Sequence, residues 1–210
     1  TGALGQHDPS SGQLSIIGSR FSALNPGHYL ICDRLSHQGG LSGTVAGAQT
    51  TNLPTSALTR YTSGDGVMIG LSIYTLIGTT ATTVTCSYTN QAGTAGRTAP
   101  TVAMGGTGFR EANRMILLPL QSGDTGVRAV ASVSLTATTG TAGAFGVTLF
   151  KPLFTICVPD MSGVPSAGGY ITGSTFGGIP TIVDGACLFA ISISQSTNAQ
   201  GSGCILVAEN

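Results

Sequence analysis

The chain has 210 residues and a formal net charge of zero, from eight Lys or Arg and eight Asp or Glu, which leaves no electrostatic footprint for nucleic acid or an anionic membrane surface. Only 8% of residues are charged and 32 are glycine, so hydroxyls and backbone meet the water, and such short side chains lose little rotamer entropy when another surface covers them. This composition favours a subunit of an assembly over a freely diffusing enzyme, and the length suffices for one all-β domain that needs no metal or disulfide to complete its core.

Residues 1–12, with little apolar material and "DPSSG", read as an N-terminal arm. From residue 13 onward, short apolar segments at period two alternate with Gly, Pro, Asn and Thr clusters, and no long stretch shows a helical period. Strands are predicted at "LSIIGS" and "HYLIC", then at "VMIGLSIYTLI", where Ile69, Leu71 and Ile73 share a face. "TVTCSY", with Val84 and Cys86, follows, and "RMILLPL" comes after it. In "VRAVASVSLTAT", Val127, Ala129, Ala131, Val133 and Leu135 fall on one face and Arg128, Ser132, Ser134 and Thr136 on the other. "FGVTLF" and "LFTICV" read as two strands, and "LFAISIS" and "CILVAE" complete the set. Between them, 161–180 is a Gly-rich excursion. Only "GFREANRM" offers a helix start. The fold class is therefore all-β: residues 13–210 form a single domain, an antiparallel two-sheet sandwich, with a jelly roll as one arrangement of it.

Five cysteines, Cys32, Cys86, Cys157, Cys187 and Cys204, lie far apart and form no Cys-x-x-Cys pair. They read as buried free thiols, which suits folding in a reducing cytoplasm. No segment approaches the ~20 apolar residues of a membrane span. The opening residues have neither a basic start nor an apolar h-region, so no export signal is expected.

Chemistry is sparse. "HYLICDRLSHQGG" supplies His28, Cys32, Asp33 and His37, all types that bind zinc, but on a strand His28 and Cys32 face one way and Asp33 the other. No Gly-x-Ser-x-Gly elbow marks a nucleophile. The acids of "SGDG", "SGDTG" and "VDGA" sit where Asp forms turns by capping backbone amides. "AMGGTGFRE" lacks the Lys-Ser/Thr of a phosphate loop and reads as a tight turn exposing Phe109, Arg110 and Glu111. The loop "TCSYTNQAGTAGRTA" holds Arg97 with no following helix, so Arg97 is assigned to subunit pairing or loop anchoring rather than to phosphate. Arg97, Phe109 and Arg110 are the candidate interface residues. Catalytic, cofactor and metal residues are expected to be none.

Several phrases in order, "DRLSHQGGLSGT", "AQTTNLPTSALTRYTSGDGVM", "SYTNQAGTAGRTA", "LPLQSGDTGVRAVASVSL" and "GAFGVTLFKPL", resemble structural proteins of tailed bacteriophages across roughly residues 28–153. The resemblance implies a virion component without catalytic activity, made in a bacterial cytoplasm and built into the particle. An accessory head protein that decorates or cements the shell fits better than a shell subunit, whose fold relies on a long spine helix. The partners expected on this reading are the phage major capsid protein and further copies of the chain as a homo-oligomer. A tail- or fibre-associated protein binding a host surface is the alternative within the class, and a hydrolase using "HYLICD" or the scattered acids is the alternative outside it.

Overall fold

Val, Ile, Thr and aromatic residues at alternate positions commit the chain to strands, and Gly and Asn at positive φ turn it between them. The computed structural model describes residues 14–23, 27–54, 56–140, 143–158, 181–193 and 201–209. The expected arm, 1–12, and the Gly-rich excursion, 161–180, lie outside the described residues. Among the described residues every regular element is a strand, and the strands pair antiparallel in three sheets. The chain divides into two compact units, Arg34–Lys151 and Thr1–Asp33 with Pro152–Asn210.

The larger unit is a two-sheet sandwich. In one sheet β2 (Gly27–Ser42) lies beside β10 (Ala144–Val158), then β4 (Met68–Thr75) and β8 (Met115–Leu118). In the other, β3 (Gly47–Leu53), β9 (Val127–Leu135), β5 (Thr82–Asn90) and β6 (Arg97–Thr98) follow in that order, and β7 (Val102–Met104) also pairs with β5. Ile69, Leu71 and Ile73 from the first sheet and Val84, Cys86 and Tyr88 from the second join one buried cluster with Phe145, Val147 and Leu149. The predicted shared face of Ile69, Leu71 and Ile73 is thus the core face.

Strand β9 departs from the predicted alternation. Its pairing with β5 skips Ala131, between Ser87↔Ser132 and Tyr88↔Val130, and skips Arg128 near the strand's start. Each bulge reverses the parity of the side chains before it. Val130 is therefore buried with Val133 and Leu135, while Ala131 is exposed. The two segments "FGVTLF" and "LFTICV" form one 15-residue strand, β10, that continues through Lys151 and Pro152.

In the smaller unit β1 (Leu14–Ala23) is flanked by β11 (Thr181–Ile182) and β13 (Gly201–Glu209). β12 (Leu188–Ile193) pairs with the first half of β2, from Leu188↔Asp33 to Ile193↔His28. Leu14, Ile16, Ile182 and Leu188 form one buried cluster, and Tyr29, Ile31 and Ile156 another. None of the five cysteines is in a disulfide, and only Cys32 and Cys86 are buried. Alternation puts Cys157 outward, next to the buried Ile156, and Cys204 is also exposed.

Candidate functional site

Strand β5 separates the candidate residues. Eight steps of roughly 3.3 Å put the ends of this nine-residue strand about 26 Å apart; Arg97 lies at the Asn90 end, while Phe109 and Arg110 follow from Met104, which pairs with Thr82 at the other.

At the Asn90 end the chain folds back on itself. The Asn90 amide donates to the Thr94 carbonyl at 3.1 Å, the Thr94 amide to Asn90 Oδ1 at 2.8 Å, and the Gly93 amide to the Asn90 carbonyl at 2.9 Å. Gly93 and Gly96, at φ 83° and 73°, supply the left-handed turns. These amides point into the loop and make no anion cradle. Asp124, 27 residues beyond Arg97, receives three donors: Arg97 Nε at 2.9 Å and the Tyr88 hydroxyl at 2.5 Å on Oδ2, and Asn90 Nδ2 at 2.7 Å on Oδ1. The Gln121 amide donates to the Tyr88 oxygen at 2.8 Å. The Asp124 side chain is 3% exposed and that of Arg97 28%. The Arg97 hydrogen bond first, then that of Tyr88, hold the Asp124 carboxyl down to about 2. Burial and then the Asp124 carboxylate push the Tyr88 phenol up. Arg97 is thus a loop anchor within its own chain.

At the other end "GFREANRM" forms a turn, not a helix start. The Ile73 amide donates to the Arg114 carbonyl at 2.9 Å and the Asn113 amide to the Ile73 carbonyl at 2.8 Å, so this backbone is used by the edge of β4. Asn113 sits at φ 66°. Phe109 is 45% exposed, with the Arg114 guanidinium 5.2 Å from its ring centroid, a cation–π contact. Arg114 also donates to the Gly108 carbonyl and pairs with Glu111 at 3.3 Å. Arg110 Nε donates to the Ile77 carbonyl at 3.1 Å, and the Ile77 amide returns a bond to the Arg110 carbonyl at 2.9 Å.

Neighbouring loops are braced to one another at this end. The Thr139 amide donates to the Gly43 carbonyl at 2.8 Å, and the Thr80 amide donates to the Thr139 carbonyl at 3.0 Å. A Cβ at Gly78 would overlap the Thr139 carbonyl oxygen, so only glycine fits there. From these loops Leu76, 50% exposed, and Val45, 45% exposed, reach solvent. Sequence reasoning singled out Phe109 and Arg110 but missed Leu76, Val45 and Arg114. Leu76 lies in the apolar run "IYTLI" and stands just beyond the end of β4.

The "HYLICDRLSHQGG" residues do not converge. His28 is exposed, Cys32 is buried with its thiol pushed up to about 12 by desolvation first and Asp33 second, and Asp33 accepts the Cys187 amide at 2.8 Å. Among the described residues no group of three or more His, Cys, Asp or Glu is placed to hold a metal ion. Comparison of the chain with protein-family models, with curated proteins and with solved structures finds no match in any of the three.

Proposed function

We propose that the chain is a non-enzymatic structural protein of a tailed-phage particle, a decoration or cement subunit that binds the major capsid protein on the assembled shell. The observation that carries this reading is the braced loop end of the larger unit, which displays Val45, Leu76 and Phe109 to solvent. The phrases between residues 28 and 153 that resemble phage structural proteins support it. Loops already fixed by hydrogen bonds lose little freedom on contact, and apolar side chains gain roughly 25 cal/mol per Å² removed from water. A subunit bound across joints between shell proteins stabilises the shell by mass action, and a symmetric oligomer multiplies weak contacts by avidity.

The test is a cryo-EM map of the intact particle, paired with sedimentation of purified protein with heads. Density on the outer capsid surface is expected. Co-sedimentation should persist in salt of about 1 M, where the Debye length is only about 3 Å. Density confined to the tail overturns the decoration reading in favour of a tail- or fibre-associated protein, and absence from the particle overturns both.

A further inference from the structure

One imidazole bridges three neighbouring strands of the larger unit. His37 on β2 sets Nδ1 2.7 Å from Thr148 Oγ1 on β10, and its Nε2 is hydrogen-bonded to the Tyr74 hydroxyl of β4. Thr148 is buried, and its Oγ1 is 3.4 Å from Ser72 Oγ, also on β4. The Tyr74 ring meets the imidazole edge-on with centroids 5.9 Å apart. Two glycines make room for that ring: a Cβ at Gly39 would touch it at 3.4 Å, and one at Gly146 would overlap its hydroxyl.

A neutral imidazole offers one N–H and one lone pair. With a hydroxyl at each nitrogen, one hydroxyl donates into the ring and the other accepts from it. Protonation turns both ring nitrogens into donors. The hydroxyl that had donated must then turn its proton away, Thr148 toward Ser72 Oγ or Tyr74 toward water. The charged neighbour on β2 is Arg34, β4 contributes the phenol of Tyr74 and the uncharged Ser72, and β10 contributes the uncharged Thr148 and Gly146. Desolvation first, and the Arg34 guanidinium second, hold the imidazole below its ordinary 6.5. Burial raises the Tyr74 phenol, so it stays neutral wherever His37 titrates.

We propose that His37 is an acid-sensitive tie, which holds β2, β10 and β4 together more firmly when its ring is neutral than when it is protonated. The unfolded chain takes up the proton more readily than the folded one. The tie's contribution to stability is therefore complete above the unfolded value of 6.5 and is lost as pH falls through the lower folded value.

The experiment is an NMR titration of the His37 ring in the intact chain, with melting temperature followed over the same pH range. The expected midpoint lies below 6.5. Tyr74→Phe leaves Nε2 free to meet water as donor or acceptor and should move the midpoint upward. His37→Gln, which cannot titrate, should flatten the loss of melting temperature in mild acid. A wild-type midpoint at or above 6.5 overturns the proposal, and so does a His37→Gln pH profile parallel to that of the wild type. The wild-type titration decides even if a variant folds poorly.

Discussion

Tyr88→Phe tests the anchor that holds the Arg97 loop. The ring stays in the core, so no cavity opens and the whole effect comes from the hydroxyl. That hydroxyl donates to Asp124 Oδ2 at 2.5 Å and accepts the Gln121 amide at 2.8 Å. Leaving a partly buried amide without its acceptor costs about 1–3 kcal/mol. At about 2–4 °C per kcal/mol for a chain of this size, a central value of about 2 kcal/mol lowers the melting temperature by roughly 4–8 °C. Circular dichroism melts at near-neutral pH measure this directly. A second set of melts, taken stepwise into acid, tests the charge. Asp124's carboxyl is depressed from its ordinary 3.8 to about 2, so the stability linked to its charge is present above 3.8 and lost as pH falls through about 2. In the variant one of the donors that hold the carboxyl down is gone, and the carboxyl titrates closer to its ordinary value. The gap between wild type and variant should therefore narrow in strong acid. An unchanged melting temperature, or a gap that stays constant into strong acid, refutes the reasoning.

Two further outcomes are expected. Val130→Ala removes buried methyl groups at ~0.8 kcal/mol each and leaves a cavity, so denaturant unfolding should show a loss of about 2–3 kcal/mol, whereas the exposed Ala131→Ser should stay within about 0.5 kcal/mol; the reverse order would mean that the bulge in β9 is misplaced. Burial pushes the Cys32 and Cys86 thiols up to about 12, so an alkylating reagent at mildly alkaline pH should label exposed Cys157 and Cys204 in the native protein and spare those two, as peptide mass spectrometry would show.

Strict alternation made β4 and β5 legible, because Ile69, Leu71 and Ile73, and Val84 and Cys86, face inward without interruption. The phase of β9 was not legible: Val130 and Ala131 are both apolar, and nothing in the sequence says which of them the ladder skips. β3 was missed because "GAQTTNL" carries no apolar alternation. Its buried Thr51 is held by a hydrogen bond to the Val130 carbonyl at 2.7 Å, not by hydrophobicity. Lys151 and Pro152 looked like a break and are interior to β10. In the candidate site, the loop position of Phe109 and Arg110 could be read from the glycines before them. The exposure of Leu76 and Val45 could not, since it depends on loops brought together from distant parts of the chain. Asp124 was read as a turn former. Its role as the partner of Arg97 belongs to the same class of long-range contact, which no local pattern encodes.

The few cations of this chain serve mainly as braces. Arg60 donates to the Arg34 carbonyl, Arg110 to that of Ile77, Arg114 to that of Gly108 and Arg128 to that of Ser63; Lys151 reaches the Asp65 carbonyl at 2.8 Å while lying over the Tyr61 ring. With Arg97 on Asp124, these six cations are all held inside the larger unit, five of them on backbone carbonyls. A fold made of strands and long loops leaves many carbonyls outside its ladders, and each needs a donor. Arginine, with five donors in a rigid fork, supplies one without a protein-wide field. The charge so used is not available for steering a partner, and a contact made by this surface depends on short-range packing. That places the burden of any shell contact on Leu76, Val45 and Phe109, and it makes Arg110, bonded to Ile77 next to Leu76, and Arg114, lying over the Phe109 ring, the residues that brace two of those side chains.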